Sequence, residues 1–556
     1  MKDYIDAAAF RNMVLCAGEA LAANEERINE LNVFPVPDGD TGTNMSLTMQ
    51  NAAKEAGERG FQSITEAADC VAGALLRGAR GNSGVILSLL FRGMSKRFKG
   101  IATAGTTEFA GALEEGVAAA YKAVMKPAEG TILTVSRCSA EAAVKAASLG
   151  ADMEGVFICA IKAAREALAE TQSINPVLKK AGVVDAGGKG YVVILETMLA
   201  SFKGEISPGE KMKSGGGGES GKVFSLFGTE EITFAYDTVF IVRKQSPSTD
   251  VRPFRSFLAG IGDSLVISEG DEEFKVHVHT DIPGSALTEA QKYGSLELAK
   301  IENMKSQHEA VAMGEKARTA DDLDEHPAPA TEECAESEKA FGTVAVCAGD
   351  GLKELFRELG CDEIVTGGQT MNPSTDDILT AISRTPADTV IILPNNKNII
   401  MAAQQCIALS RKKVIVLPTR TVPQGITAML NFDPELDADT LANGMAEAAE
   451  KVHTAMVTYA ARDSDFDGRE IHSGELLALL DGALLGSFTE EGELLEEMCR
   501  SIEKLCPEYI TVYYGTDSNE SGAQKVADRL EKHFPESEIS MVNGGQPVYY
   551  YMIAIE

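Results

Sequence analysis

Apolar residues in the first two hundred positions recur every three or four residues, which is the spacing of one face of an α-helix. Phe10, Val14, Ala17 and Leu21 open this pattern. Further Ala- and Leu-rich segments of helical length cover 64–76, 83–95, 108–125, 138–149, 155–171 and 189–203. Strand-like alternation is almost absent there, so the pattern predicts an all-α helical bundle or barrel.

Two later blocks have different patterns. The runs ITFAYDTVFIVRK (232–244) and EFKVHVHT (273–280) alternate β-branched or aromatic residues with polar ones, and the helix-like run PFRSFLAGIG lies between them. They predict a small α+β domain. Beyond residue 340, short apolar runs such as TVIILP and KVIVLP alternate with helical patterns. That rhythm is typical of an α/β domain with a largely parallel sheet.

Two segments between these blocks are predicted to be linkers. Ser207–Lys222 contains four consecutive glycines, and 318–339 is acidic with few large apolar residues. Neither composition suits a packed element. The predicted organisation is a helical domain over 1–205, a Gly-rich linker over 206–222, a middle domain over 223–317, an acidic linker over 318–339 and an α/β domain over 340–556.

Charge and cysteine usage narrow the classes of partner. The chain has 556 residues and a net charge of −32, which argues against nucleic acid or an anionic membrane as the main partner. Phosphate ligands stay compatible with this charge if a metal ion accompanies them. No apolar stretch reaches the roughly 18 residues of a transmembrane helix, and the first residues lack signal-peptide features. Ten cysteines without a C-x-x-C pair predict reduced thiols in the cytoplasm.

The most informative candidate chemistry lies at 32–45, NVFPVPDGDTGTNM. Asp38 and Asp40 flank a glycine, so both carboxylates can turn toward one divalent cation such as Mg²⁺. A helix start with free N–H groups and a positive dipole end is expected to follow at TGTN and to attract phosphate. The other interpretation of D-G-D is a plain turn with a helix N-cap.

Two more glycine-rich loops are predicted to open helices in the same block. They are GARGNSG (78–84), with Asn82 and Ser83, and DAGGKG (185–190), which starts at Asp185. Neither is a Walker A loop, and each is compatible with either phosphate binding or helix capping. Together with the two aspartates they supply the parts for Mg-ATP phosphoryl transfer, where positioning and charge neutralisation do most of the catalysis.

These motifs carry a family resemblance. LNVFPVPDGDTGTNM, GARGNSGVILS, KPAEGTILTV and AGVVDAGGKG resemble the ATP-binding subunit of dihydroxyacetone kinases, and the whole chain more closely resembles the catalytic A subunits of bacterial fatty acid kinases. The resemblance implies a helical barrel that binds ATP through two Mg²⁺ ions held by Asp38 and Asp40, with Asn32 at the position of a third family aspartate. It also implies that the nucleotide is lined by Thr41, Gly42, Thr43, Asn44, Asn82, Ser83, Thr131, Asp185, Ala186 and Gly187.

The same resemblance implies a reaction and a partner. The γ-phosphoryl group of ATP would pass to the carboxylate of a fatty acid that a separate fatty-acid-binding protein presents, and the chain would form a homodimer. A dihydroxyacetone-type kinase of a small polyol and a non-catalytic nucleotide-binding scaffold are the alternatives. Retention of both Asp38 and Asp40 speaks against the scaffold.

His277 and His279 form the pattern His-x-His on a predicted strand, which is a common way to chelate Zn²⁺. Asp237 stands where the resembled family has a cysteine, so a carboxylate could complete a zinc site with the two histidines. The resemblance also allows a role for this pair in phosphoryl transfer. Two half-exposed strand histidines without a ligand are the other interpretation.

The α/β block carries polar loops after two predicted strands, at 367–375 (GGQTMNPST) and 394–398 (PNNKN). Such loops are where open α/β sheets bind ligands, although helix N-caps explain them as well. This block resembles the N-terminal half of the fatty-acid-binding partners, and no catalytic role is assigned to it.

Overall fold

The computed structural model describes residues 3–32, 40–124, 127–209, 236–244, 251–269, 273–303, 335, 337–368, 372–461, 463–466 and 469–556. The chain forms two compact units, one made of Met1–Pro208 with Glu332–Glu556 and the other of Gly209–Thr331. The predicted linkers and Asp38 lie largely or wholly outside the described residues.

The N-terminal block is helical, as the apolar spacing predicts. Its helices are α1 (Ala7–Ala23), α2 (Glu25–Asn29), α3 (Thr41–Gly57), α4 (Ile64–Arg77), α5 (Gly81–Arg97), α6 (Thr106–Ala123), α7 (Ile132–Ser148), α8 (Met153–Ile174), α9 (Pro176–Ala181) and α10 (Ala186–Phe202). From α3 to α8 each long helix packs on the next, and α10 packs on both α8 and α1, while α1 packs on α3. The contacts therefore close a ring, which confirms a helical barrel.

Local sequence signals explain where these helices begin. Asp6, Ser63 and Asp152 each accept a main-chain N–H from the first turn of the helix that follows, and this is the usual role of such residues at an N-cap. The barrel interior is filled by aromatic pairs such as Phe109 and Phe157, whose ring centroids lie 4.4 Å apart. Capped starts and a continuous apolar face fix the helix boundaries.

The C-terminal block is an α/β structure with two sheets. Its strands are β5 (Lys339–Cys347), β6 (Glu363–Thr366), β7 (Ala387–Leu393), β8 (Lys413–Val416), β9 (His453–Tyr459), β10 (Ser464–Phe466), β11 (Arg469–Ile471), β12 (Leu476–Leu480), β13 (Ala483–Phe488), β14 (Tyr509–Tyr514), β15 (Glu538–Asn543) and β16 (Tyr551–Ile555). Its helices are α13 (Asp350–Glu358), α14 (Thr375–Arg384), α15 (Ile400–Leu409), α16 (Val422–Leu430), α17 (Ala438–Glu450), α18 (Glu491–Glu503) and α19 (Glu520–His533).

The first sheet has the order β6-β5-β7-β8 and is parallel throughout, which confirms the parallel sheet predicted from the βαβ rhythm. The second sheet has the order β13-β12-β9-β16-β14-β15 and pairs parallel between β14 and β15, whereas its other pairs are antiparallel. Beside these two sheets, β10 and β11 form a short antiparallel pair.

One hydrophobic core joins the barrel to the parallel sheet. Val344 of β5, Val390 of β7, Ile378 of α14 and Cys406 of α15 belong to the same buried cluster as the barrel interior. Helix α14 packs on α4, and α15 packs on α5. The shared core fixes the parallel sheet on the barrel.

The second unit contains β1 (Tyr236–Lys244), α11 (Arg252–Ile261), β2 (Gly262–Glu269), β3 (Glu273–Thr280), α12 (Pro283–Ala290) and β4 (Gly294–Asn303). Its sheet is antiparallel with the order β2-β3-β1-β4. Phe240, Phe254, Val276 and Val278 are buried in its core. This confirms the small α+β fold. No helix in the described part of the chain combines the length and the apolar composition that crossing a membrane requires.

Candidate functional site

The first turns of α3, α5, α7 and α10 lie at the same end of the barrel. Three close approaches show it. A Cβ on Gly190 of α10 would lie 2.7 Å from Met45 Sδ of α3, one on Gly81 of α5 would lie 2.5 Å from Asn44 Nδ2 of α3, and one on Gly187 of α10 would lie 3.4 Å from Ile132 Cβ of α7. Gly81 also has a φ of +55°, which favours glycine. Positive helix-dipole ends therefore converge at one rim, and such ends attract anions.

The start of α3 is capped by a side chain from α2, contrary to the expectation of free N–H groups there. Asn29 Oδ1 accepts the main-chain N–H of Gly42 at 2.7 Å and that of Thr43 at 3.4 Å. Asn29 Nδ2 donates to Thr43 Oγ1 at 3.1 Å. Thr43 Oγ1 in turn donates to Glu25 Oε1 at 2.7 Å. The N–H groups of Gly42 and Thr43 are thus already bound within the protein.

Sequence reasoning missed Glu25 and Asn29. The available signal was their spacing of four residues, which places both on one face of a helix just before the D-G-D motif. Asn32, expected as a metal ligand, lies beside them: Asn32 Oδ1 accepts the Thr41 hydroxyl at 2.8 Å, and Asn32 Nδ2 donates to the Asn29 carbonyl at 3.1 Å. Its role as a ligand stays a prediction.

Asp40 occupies the N-cap position of α3, but its side chain does not cap that helix. Instead its Oδ1 accepts Asn44 Nδ2 at 2.8 Å, and its Oδ2 accepts Asn372 Nδ2 of the C-terminal block at 2.5 Å. The N-cap interpretation of this aspartate therefore does not describe its carboxylate. Asp38, its partner in the motif, lies outside the described residues.

The start of α5 differs from its neighbours. Its N-cap residue is Arg80, which has no side-chain oxygen to accept a hydrogen bond from the first turn. Asn82 and Ser83 follow in that turn and are half-buried. The Asn82 Oδ1 atom is buried without a hydrogen-bond partner in the described part of the chain. A buried amide oxygen without a partner needs an explanation, and an ordered water, an ion or a ligand can each supply one.

The starts of α7 and α10 are capped by side chains, and for α10 this is the alternative that the sequence left open. Thr131 Oγ1 accepts the N–H of Leu133 at 3.3 Å, and Asp185 Oδ2 accepts that of Gly188 at 2.7 Å. Burial raises the pKa of Asp185 to about 6, against hydrogen bonds from the main chain of Gly188 and Ile132 that lower it. Ala186 and Gly187 are buried in the same first turn of α10, at the rim where the helix starts converge.

A loop of the C-terminal block docks on this rim. Asn372 lies between β6 and α14, within the 367–375 loop singled out in the sequence. The guanidinium of Arg80 donates to the Asn372 carbonyl at 2.8 Å, and the N–H of Thr375 donates to the Ala79 carbonyl at 3.1 Å. Ser374 caps α14 with a capping box. The loop therefore caps a helix, as one interpretation predicts, and also contacts the candidate site.

In the second unit the backbone brings the three candidate zinc residues together. On β3 His279 is the register partner of Asp237 on β1, and His277 is the partner of Val239. On the other side, His279 pairs with Asp263 of β2, a residue not singled out from the sequence. The side chains of Asp237, His277 and His279 lie outside the described part of the structure. Among the side chains that are described, no group of three or more His, Cys, Asp or Glu is arranged to hold a metal ion. The zinc site stays a prediction.

Comparison with known proteins places the chain in a class. The DAK2 domain model matches residues 35–200. Models for the middle and C-terminal domains of FakA-like proteins, which are named for the A subunits of fatty acid kinases, match 233–311 and 342–556. Both kinds of model describe kinase-related families, so the class of the chain is a kinase-related phosphotransferase. More narrowly, the chain belongs to the FakA-like family of fatty acid kinase proteins.

Full-length relatives support this membership. Protein YloV of Bacillus subtilis is 38% identical over 561 residues, which cover 99% of both chains. An uncharacterized protein of Staphylococcus epidermidis is 38% identical over 557 residues, again covering 99% of both. One from Staphylococcus saprophyticus is 37% identical over 561 residues and covers 100% of both.

Solved structures give weaker likenesses. A DegV family protein of Corynebacterium glutamicum has a TM-score of 0.31 at 12% identity, over 38% of this chain and 97% of its own. The Streptococcus pneumoniae Fatty Acid Kinase (Fak) B3 protein loaded with linoleic acid has a TM-score of 0.28 at 12% identity, over 39% and 99%. The dihydroxyacetone kinase of C. freundii has a TM-score of 0.28 at 16% identity, over 38% and 48%.

Proposed function

We propose that this chain is the ATP-dependent subunit of a fatty acid kinase, and that it transfers the γ-phosphoryl group of ATP to the carboxylate of a fatty acid held by a separate binding protein. The observation that carries the proposal is the place of Asp40. Its carboxylate lies where the first turns of α3 and α5 meet, and it does not serve as a helix cap. A carboxylate beside converging helix starts suits a cation that bridges protein and phosphate.

The residues at this rim fit Mg-ATP. Asp40 offers carboxylate oxygens, and Asn82 has a buried amide oxygen without a hydrogen-bond partner in the described part of the chain. Oxygen donors are the ligands that Mg²⁺ prefers. Asp38 and Asp40 would hold the two magnesium ions, with Asn32 close by, and the first turns of α5, α7 and α10 would face the nucleotide. Bound magnesium would supply charge neutralisation of the triphosphate.

The chain's own residues would then bind the nucleotide, orient it and shield it. The first turn of α5, with Asn82 and Ser83, would direct N–H groups and the Ser83 hydroxyl at phosphate oxygens. At α3, Thr41, Gly42, Thr43 and Asn44 would act mainly by fixing Asp40, because their polar groups are already engaged with Asn32, Asn29, Glu25 and Asp40. Thr131, Asp185, Ala186 and Gly187 would shape the far side of the nucleotide.

A carboxylate acceptor needs no general base. A fatty acid carboxylate is ionised near pH 7, so its oxygen can form the bond to the γ-phosphorus while the bond from that phosphorus to the β–γ bridging oxygen breaks and ADP leaves. No proton has to be removed. Positioning of the two substrates and neutralisation of the phosphate charge are then sufficient for catalysis. This agrees with a rim that presents helix starts and side-chain amides.

The acyl substrate is assigned to another protein because the family is defined as one subunit of a fatty acid kinase. The fatty-acid-binding partner would bring the carboxylate to the barrel rim. A homodimer of this chain remains part of the proposal. The nine cysteines in the described part of the chain are free thiols, which supports a reducing compartment such as the cytoplasm.

The test is ATP turnover by the full chain with a fatty-acid-loaded binding protein. We expect Asp40→Asn and Asp38→Ala each to reduce turnover by about 100-fold or more, the size of effect that loss of a charge-stabilising group has in other enzymes. Asp152→Asn is the matched control, because Asp152 caps α8 and asparagine caps equally well. Turnover of Asp40→Asn at the control's rate would refute the assignment.

The same assay separates the alternatives. Turnover with dihydroxyacetone and no binding protein would indicate a small-polyol kinase. Nucleotide binding without turnover on either acceptor would indicate a scaffold. We expect turnover only when the loaded binding protein is present.

For the second unit we propose a zinc site at Asp237, His277 and His279. The register pairing of Asp237 with His279, and the spacing of the two histidines, support it. Elemental analysis of purified protein is expected to show zinc, and His277→Ala with His279→Ala is expected to remove it. Equal zinc content in the wild type and the double variant would reject the site.

A further inference from the structure

Asn372 connects the C-terminal block to the candidate cation site. It is 2% exposed, and its Nδ2 donates to Asp40 Oδ2 at 2.5 Å. Its Oδ1 is buried and has no hydrogen-bond partner in the described part of the chain. Asn372 therefore combines a donor directed at Asp40 with an amide oxygen beside it that lacks a protein partner.

The Asn372 backbone is fixed by contacts that do not involve its side chain. The guanidinium of Arg80 donates to the Asn372 carbonyl, and Thr375 pairs with Ala79 through its main-chain N–H. Arg80 also lies 3.5 Å from the Asp377 carboxylate. Since the parallel sheet shares a core with the barrel, Asn372 is placed at Asp40 by the fold and needs no domain movement to reach it.

The hydrogen bond to Asp40 accounts for Nδ2 of Asn372 but not for its buried Oδ1. Burying an amide oxygen without a partner is costly, and a serine or a small apolar residue would avoid that cost. An amide oxygen is, however, a common ligand of hard divalent cations. A half-turn of the carboxamide exchanges Nδ2 and Oδ1 with little change of shape. The same side chain can thus donate to Asp40 without a cation and present its oxygen when a cation is bound.

We propose that Asn372 is a ligand of the cation held by Asp40, so that the C-terminal α/β block completes the kinase site. This rests on the proposed function, and it adds a ligand from 332 residues further along the chain. The loop after β6 thereby gains a role in the reaction.

The competing explanation is that Asn372 makes only a structural hydrogen bond to Asp40. If Asn372 only hydrogen-bonds Asp40 and never turns, it competes with the cation for that carboxylate. Removing its side chain would then leave cation affinity unchanged or improve it. A ligand behaves in the opposite way, because its removal weakens binding.

The experiment measures Mn²⁺ binding to the full chain without nucleotide, by electron paramagnetic resonance of free Mn²⁺. We expect Asn372→Ala to weaken Mn²⁺ affinity by roughly 10-fold or more, since loss of a side chain that supports a metal site has an effect of this size. Asn372→Asp, which keeps the shape and adds a charged oxygen, is expected to bind at least as tightly as the wild type. Asp377→Asn loosens the same interface without altering Asp40, and we expect wild-type affinity.

A second measurement covers the case in which a variant folds poorly. Without metal, Asn372→Asp places two carboxylates together and is expected to lower the melting temperature, and Mn²⁺ is expected to restore it to a greater degree than in the wild type. Unchanged or tighter Mn²⁺ binding by Asn372→Ala, or weaker binding by Asn372→Asp without recovery of stability, would overturn the inference. Asp40→Asn separates failure of this inference from failure of the proposed function. If Asp40→Asn binds Mn²⁺ like the wild type, the proposed cation site at Asp40 is wrong.

Discussion

The capping of α3 by Asn29 gives a sharp prediction, because this contact fixes the helix that carries Asp40. Asn29→Ala removes the acceptor at 2.7 Å from the N–H of Gly42, the weaker one at 3.4 Å from Thr43, and the donor to Thr43 Oγ1. Gly42 is buried, so water replaces these bonds poorly. Exchange of an N-capping side chain for alanine costs about 1–2 kcal/mol.

That cost is local, and it can be measured where it arises. A loss of one to two kcal/mol raises the population of the open state by roughly 5–30-fold. Hydrogen–deuterium exchange read by mass spectrometry on peptides covering 40–48 should therefore become faster by this factor in Asn29→Ala. Kinase turnover should fall as well, since Asp40 precedes the loosened turn.

Asn519→Ala is the matched control. Asn519 caps α19 of the C-terminal block by accepting the N–H of Gly522 at 2.9 Å. Its loss should accelerate exchange in the first turn of α19 by a similar factor and leave turnover unchanged. Unaltered protection at 40–48 in Asn29→Ala would refute the cap, and equal loss of turnover in both variants would refute the link between the cap and catalysis.

Two further predictions concern the same rim. Gly42→Ala places a Cβ 2.2 Å from the Glu25 carbonyl oxygen and should displace α2 and abolish turnover, whereas Gly57→Ala in the same helix meets only Leu15 at 3.6 Å and should be neutral or stabilising in thermal unfolding. Asp185 is the basis of a pH prediction, because burial raises its pKa from 3.8 to about 6. This shift corresponds to a free-energy preference of roughly 3 kcal/mol for the protonated carboxyl in the folded protein, relative to the unfolded chain. The folded state thus prefers the protonated carboxyl, so its contribution to stability is complete below about pH 3.8 and is lost as pH rises through about 6. Asp185→Asn should therefore raise the melting temperature near pH 7 and match the wild type near pH 4, and a difference that did not vary with pH would contradict this.

The barrel could be predicted from the sequence because each of its helices has a continuous apolar face. The second sheet of the C-terminal block could not be assigned in the same way. Its runs YITVYYG and YYYMIAIE predict strands, but the apolar pattern of a strand does not predict whether it pairs parallel or antiparallel. In the structure β14 pairs parallel with β15 and antiparallel with β16.

Only the parts of the candidate site that form local sequence motifs could be predicted from the sequence. D-G-D and the glycine-rich loops predicted helix starts, and the structure brings these starts to one rim, where glycines are needed because the helices approach each other closely. The state of the N–H groups was not predictable, since Asn29 lies on a separate short helix and its contact with Gly42 depends on how α2 folds back.

The contact between Asn372 and Asp40 shows what a motif search leaves out. The 367–375 loop has two local explanations, a helix cap and a ligand loop at the end of a parallel strand. The structure satisfies the first with Ser374, and a cap alone would leave Asn372 free to vary. What fixes Asn372 is a residue in another block, and only the shared core of barrel and sheet brings the two within hydrogen-bonding distance. The proposed cation site is therefore a property of the assembled unit, and both Asp40→Asn and Asn372→Ala should alter it.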